Sequence, residues 1–115
     1  MSTSNELYAE SEQLKVDGKL DEAIAKLLEL LEQEDTYAIA HSALAVLYGR
    51  VDRHDEAVKH GQRVCELEPN DAFSFTAMSV TYQRAYAGTN DTQYIQAAED
   101  AMARSHSLQS GGPRP

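Results

Sequence analysis

One cysteine, Cys65, stands in 115 residues, so no disulfide can close within the chain. Its place in an apolar helical pattern gives it a core position, because a reactive thiol needs an exposed and electropositive setting. Long apolar runs are also missing. None approaches the roughly 20 residues that cross a bilayer, and the polar start MSTSNELYAESEQ carries no apolar signal core. The expected location is the cytoplasm, without membrane insertion. Bases are scarce, 10 against 19 acids for a net charge of −9. A phosphate backbone needs clustered Lys and Arg, so no nucleic acid is expected as a partner. The chain has no glycine-rich phosphate loop, no nucleophile elbow and no metal-spaced set of Cys and His. His54 and His60 are six residues apart, on different sides of a helix, where a helical zinc pair needs a spacing of about four. The carboxylate pairs Glu10 with Glu12 and Asp52 with Asp55 imply no pocket. Neither enzymatic activity nor a metal or cofactor is expected.

What is present is a globular chain with room for one domain: 42% of its residues are hydrophobic, which argues against wholesale disorder. Its acidity is concentrated at one end. Residues 1–37 hold ten acids and three bases, residues 38–71 six and four, and residues 72–115 three and three. The plain reading is a solvated acidic surface that keeps the protein soluble. The sharper one is a docking patch for a basic partner.

Residues 38–71 have the pattern of an antiparallel helix pair. One apolar side runs through Leu44, Leu47, Tyr48 and Val51, a polar turn spans residues 52–54, and a second apolar side runs through Ala57, Val58, Gly61, Val64, Cys65 and Leu67. Pro69 then stops the helix, since it cannot donate to the ladder and disfavours helical geometry in Glu68. The chain also superimposes on itself under a single fixed shift. Asp21, Glu22 and Ala23 land on Asp55, Glu56 and Ala57. Under the same shift Ala38, Ala43, Val46, Tyr48 and Arg50 land on Ala72, Ala77, Val80, Tyr82 and Arg84. A repeat of this length is a unit that buries its apolar side only by stacking on its neighbours.

These residues resemble the tetratricopeptide repeat, a family of helix-turn-helix units of about 34 residues each. With Ala38 as the first position, Leu44, Tyr48, Ala57 and Pro69 fall on family positions, while His41 and Gly61 stand where aromatic residues are usual and Val64 where alanine is. The first unit matches through Leu7, Leu14, Gly18, Ala23, Leu27 and Leu30, and departs at Glu10, Ser11 and Asp35. His41 is expected as a packed, hydrogen-bonded core histidine. The resemblance implies an all-α fold, an α-solenoid of three helix-turn-helix repeats with about six antiparallel helices. The repeats fall at residues 4–37, 38–71 and 72–109 of a single domain, followed by a flexible tail over 110–115. In the third unit the small pair Ala97 and Ala98 arrives about six residues late. A loop at residues 87–91 is expected to absorb that length, before a last helix with Ile95, Ala98, Met102 and Ser105 on one side.

In that family the first helix of each unit lines a concave groove. Carried onto this chain, the resemblance places there Tyr8, Glu12 and Lys15 of the first unit. It adds Ile39, Ser42, Val46 and Arg50 of the second, and Phe73, Thr76, Val80, Gln83 and Arg84 of the third. Arg50 and Arg84, one period apart beside Lys15, would make one end of an apolar trough basic. Such a trough suits a peptide or helix that presents apolar side chains and a carboxylate. The Lys and Asn set by which some relatives clamp chaperone termini is absent, since Tyr8, Glu12 and Ala43 occupy its positions. The expected function is therefore a non-catalytic protein-interaction module for an unidentified protein or peptide, in a monomer or weak homo-oligomer. The alternative is a self-associating scaffold, motivated by the short array and by an outer side around residues 97–108 that nothing evident caps.

Overall fold

The structure is a computed structural model that describes residues 2–111. Six helices follow one another: α1 (Ser4–Val16), α2 (Leu20–Gln33), α3 (Ala38–Arg50), α4 (His54–Leu67), α5 (Ala72–Thr89) and α6 (Gln93–Gln109). No strand occurs among the described residues. Each start has a local cause. At α1 the Thr3 hydroxyl accepts from the Glu6 N–H at 3.1 Å while the Glu6 carboxylate accepts from the Thr3 N–H at 2.8 Å, a reciprocal cap that holds the Glu6 carboxyl below its ordinary pKa. At α5 the Asp71 carboxylate accepts from the Phe73 N–H at 3.0 Å.

The turns inside the units repeat as well. Gly18 and Asp52, one period apart, both take left-handed backbone geometry, with φ of 80° and 62°. Asp tolerates that region better than most side chains, which explains how the second unit turns without a glycine. The third left-handed residue is Asn90, φ 60°, four residues later than the period requires. The extra length is therefore a further turn of helix and not the loop expected at residues 87–91. Ala87, Gly88 and Thr89 continue α5, whose last turn is held by the Thr89 hydroxyl donating to the Ala85 carbonyl at 2.7 Å.

Chain order is spatial order. Hairpins α1–α2, α3–α4 and α5–α6 lean on one another through α2 on α3 and α4 on α5, with α3 also meeting α5. The molecule extends 47 × 36 × 21 Å with a radius of gyration of 14.8 Å, longer than the roughly 13 Å of a compact domain this size. Ala23 and Ala57 are buried at the crossings, where a small side chain lets helices approach closely. The core has two parts. The larger joins Leu7, Leu27, Leu30, Leu44, Leu47 and Tyr48 across α1 to α4, and the smaller joins Val58, Met78, Ala85 and Ala101 across α4 to α6.

Between α5 and α6 serine does part of the packing. The buried Ser79 hydroxyl donates to the Ala98 carbonyl at 2.8 Å, and Thr76 shares a hydrogen bond of 2.6 Å with the buried Ser105. Between α4 and α5, Gly88 makes room for a ring. A Cβ there would collide with His54, the first residue of α4 rather than the last of the turn before it; among the described residues neither nitrogen of this buried imidazole has a hydrogen bond, and the Asp52 carboxylate lies 3.6 Å from its Nε2. Gly111 closes a final turn on the Leu108 carbonyl; the remainder of the tail expected over 110–115 lies outside the described residues.

Candidate binding groove

The first helices of the units share one side of the stack, and two hollows open there. One of about 230 Å³ lies between α1 and α3, walled by Tyr8, Glu12, Lys15, Ile39, Ser42 and Val46. A second of about 230 Å³ lies between α3 and α5, walled by Ser42, Val46, Phe73, Val80 and Arg84, with Gly61 and Val64 of α4 beneath. Ser42 and Val46 belong to both and form the ridge between them. Large apolar side chains stand open along this line: Phe73 is 75% exposed and Ile39 55%. Isolated exposed apolar residues are ordinary; here several stand in a row along one groove.

The charges divide unequally. Lys15 bonds Glu12 within α1 at 3.0 Å, so the first hollow is close to neutral. Beside it the Tyr8 phenol is pushed above its ordinary pKa by burial and then by the Glu12 charge. Its ring tilts against Tyr37, whose hydroxyl donates to the Asn5 amide oxygen at 2.7 Å and ties the loop after α2 back to α1. Arg84 stands on the rim of the second hollow, while Arg50 is exposed at the end of α3 outside both. Among the described residues neither guanidinium has an ion-pair partner, whereas Lys26, Arg53 and Arg63 all do.

Two of the residues expected in the groove take positions towards α6. Thr76 is held by Ser105, and Gln83 donates to the Ser79 hydroxyl at 3.2 Å and lines a separate recess between α5 and α6. The floor residues Gly61 and Val64 were not among the expected groove positions. Their signal was nonetheless in the sequence, because glycine and valine replace the family's aromatic and alanine there. The Met78 thioether occupies the space beside Gly61, within 2.7 Å of where a Cβ would stand.

Among the solved structures that share this fold are two crystal structures of MamA, with TM-scores of 0.80 and 0.78 at 14% and 15% sequence identity, covering 95% and 98% of this chain. The chain spans about 60% of the length of these MamA chains. At that identity the likeness is one of fold, and it is the MamA helical-repeat fold. No protein-family model matches the sequence, and neither does any curated protein.

The histidines have local structural roles. His41 is buried against α4, and its Nε2 lies 2.8 Å from the Asp35 carbonyl. A carbonyl only accepts, so Nε2 carries the proton, and in the neutral ring Nδ1 then accepts from His60 Nδ1 at 2.9 Å. His60 in turn stacks on Tyr48, ring centroids 5.6 Å apart. His54 lies at the α4–α5 joint, away from this pair. Cys65 is half-buried, its thiol reaching the Ser74 carbonyl at 3.6 Å, and burial pushes its pKa up to about 11. No cluster of three His, Cys, Asp or Glu side chains suited to a metal ion occurs among the described residues. Nor is any helix among them long and apolar enough to cross a membrane.

Proposed function

We propose that this chain is a non-catalytic protein-interaction module that holds a peptide or helix of a partner along α1, α3 and α5. Apolar side chains of the ligand occupy the two hollows, and a ligand carboxylate is held by Arg84 on the rim of the second, with Arg50 adding positive charge at the end of α3. The observation that carries this reading is the pair of arginines itself. They stand one period apart, unpaired among the described residues, in a chain where acids outnumber bases 19 to 10. Arginine grips a carboxylate through two parallel hydrogen bonds, so two open guanidiniums beside an apolar trough select acidic ligands over basic ones. The helical-repeat fold shared with MamA supports an interaction role.

Selection from a random peptide display library tests it. Enriched sequences should combine bulky apolar residues with Asp, Glu or a free carboxyl terminus, and Arg50→Glu with Arg84→Glu should weaken their binding about tenfold or more. Both side chains are exposed, so the double variant should melt as the parent does. Enrichment indifferent to charge, or binding unaltered in the folded double variant, removes the groove as the site. A second reading is self-association as a scaffold, for which the open outer side of α5–α6 leaves an uncovered surface. Light scattering separates the two: a mass constant at 12.7 kDa over a wide range of concentrations leaves no place for self-assembly.

A further inference from the structure

The outer side of the α5–α6 hairpin carries a recess of about 480 Å³, separate from the groove, lined by Tyr86 of α5 and by Tyr94, Ile95, Ala98, Glu99 and Met102 of α6. In the earlier units a helix of the next unit takes the corresponding place, α3 against α2 and α5 against both α3 and α4. No described residue covers α5–α6 in this way. Ile95 and His54 each stand three residues ahead of the buried alanine of their helix, Ala98 and Ala57. His54 is 8% exposed beneath Gly88 of α5, whereas Ile95 is 43% exposed. The geometry therefore has the form of a helix seat.

Its chemistry says what kind of helix. The Glu99 carboxylate is exposed at the wall and has no ion pair or hydrogen bond among the described residues. The Tyr86 and Tyr94 rings line the same recess, Tyr94 with one face stacked on Tyr82, and a tyrosine ring attracts a cation at its free face. A carboxylate, two phenol rings and the apolar Ile95 and Met102 together suit a basic side chain set within an apolar row. A second copy of this chain fits poorly. Stacked end to end it would bring up α1, whose one base, Lys15, is bonded to Glu12 and whose Glu10 holds Lys26, so it offers Glu99 no free cation. Paired about a twofold axis it would bring Glu99 towards its own copy. Like charges in such contacts repel.

We propose that the outer side of the third unit is a second docking surface, which takes an amphipathic helix of a partner protein whose apolar row is flanked by arginine or lysine. The inference does not rest on the groove reading, because the two surfaces select ligands of opposite charge. The probe is a synthetic helix of about 18 residues, long enough to be helical in isolation, with leucine on one side and arginine flanking it. Its twin carries glutamate in place of arginine. Fluorescence anisotropy should show the arginine helix binding at least about tenfold more tightly than its twin, attraction having been exchanged for repulsion. Glu99→Arg should reverse that preference and Ile95→Glu should abolish binding, while Arg50→Glu with Arg84→Glu should leave it intact. Ile95 and Glu99 are both exposed, so circular dichroism melts confirm that these variants fold. Equal binding of the two helices, or no binding of either, overturns the proposal. So does a loss of binding that follows the arginine pair instead of Glu99, or a concentration-dependent dimer abolished by Ile95→Glu.

Discussion

His60 is held half-buried between Tyr48 and His41, and that setting pushes its pKa from 6.5 down to about 4, chiefly by burial and then by the neighbouring His41. The folded chain therefore refuses a proton that the unfolded chain accepts near 6.5. Stability is complete above that value and is lost progressively as the pH falls from 6.5 towards about 4. Between about pH 7 and pH 5.5, where most carboxylates have yet to titrate, the loss should be on the order of 1 kcal/mol or less once the ring's partial exposure is allowed for. Urea unfolding at the two pH values measures it. His60→Phe, which still stacks on Tyr48 but cannot titrate, should start less stable and show a flatter dependence. A parent midpoint that does not move over this window contradicts the assignment.

At the scale of a helix, what matters is how closely its neighbour can approach. Ala57 is buried where α4 crosses the rest of the larger core, and Ala25 is exposed on α2. Ala57→Arg should therefore cost about 3 kcal/mol or more, through overpacking and an unpaired buried charge, and remove the cooperative unfolding transition. Ala25→Arg, equally large, should leave the melting curve within a degree or two of the parent. An unchanged curve for Ala57→Arg would mean the crossing is looser than described. The four helices of the first two units were legible from the repeat period, because each apolar stripe and each turn recurs. The end of α5 was not. Ala87, Gly88 and Thr89 read as loop residues, and only the ring of His54, one period before Gly88, explains why a glycine is needed inside that helix. The groove was legible in part for a related reason. Spacing put Lys15 in line with the two arginines, but spacing alone does not reveal that Glu12, one turn away, already holds it. Thr76 turned towards Ser105, a residue whose register the broken period concealed.

Across the whole molecule the apolar interior is uneven. Leucines fill the first two units, whereas α6 contributes Ala98, Ala101 and Ser105 as its buried residues. Smaller side chains remove less surface from water, so the third unit has less to hold it. A stack of this kind opens from its weaker end. Native-state hydrogen exchange should find amides at residues 98–101 at least about tenfold less protected than those at residues 27–30 and 44–47. Uniform protection across all six helices would instead describe a single cooperative block.

Among the described residues each hairpin packs on the one before and the one after, through α2 on α3, α4 on α5 and α3 on α5, and the first unit does not pack on the third. A gene for such a chain can duplicate or lose one repeat-length segment and still encode something that folds, so the number of units is free to drift while the joints are kept. Lengthening the stack then takes no new invention, only another copy.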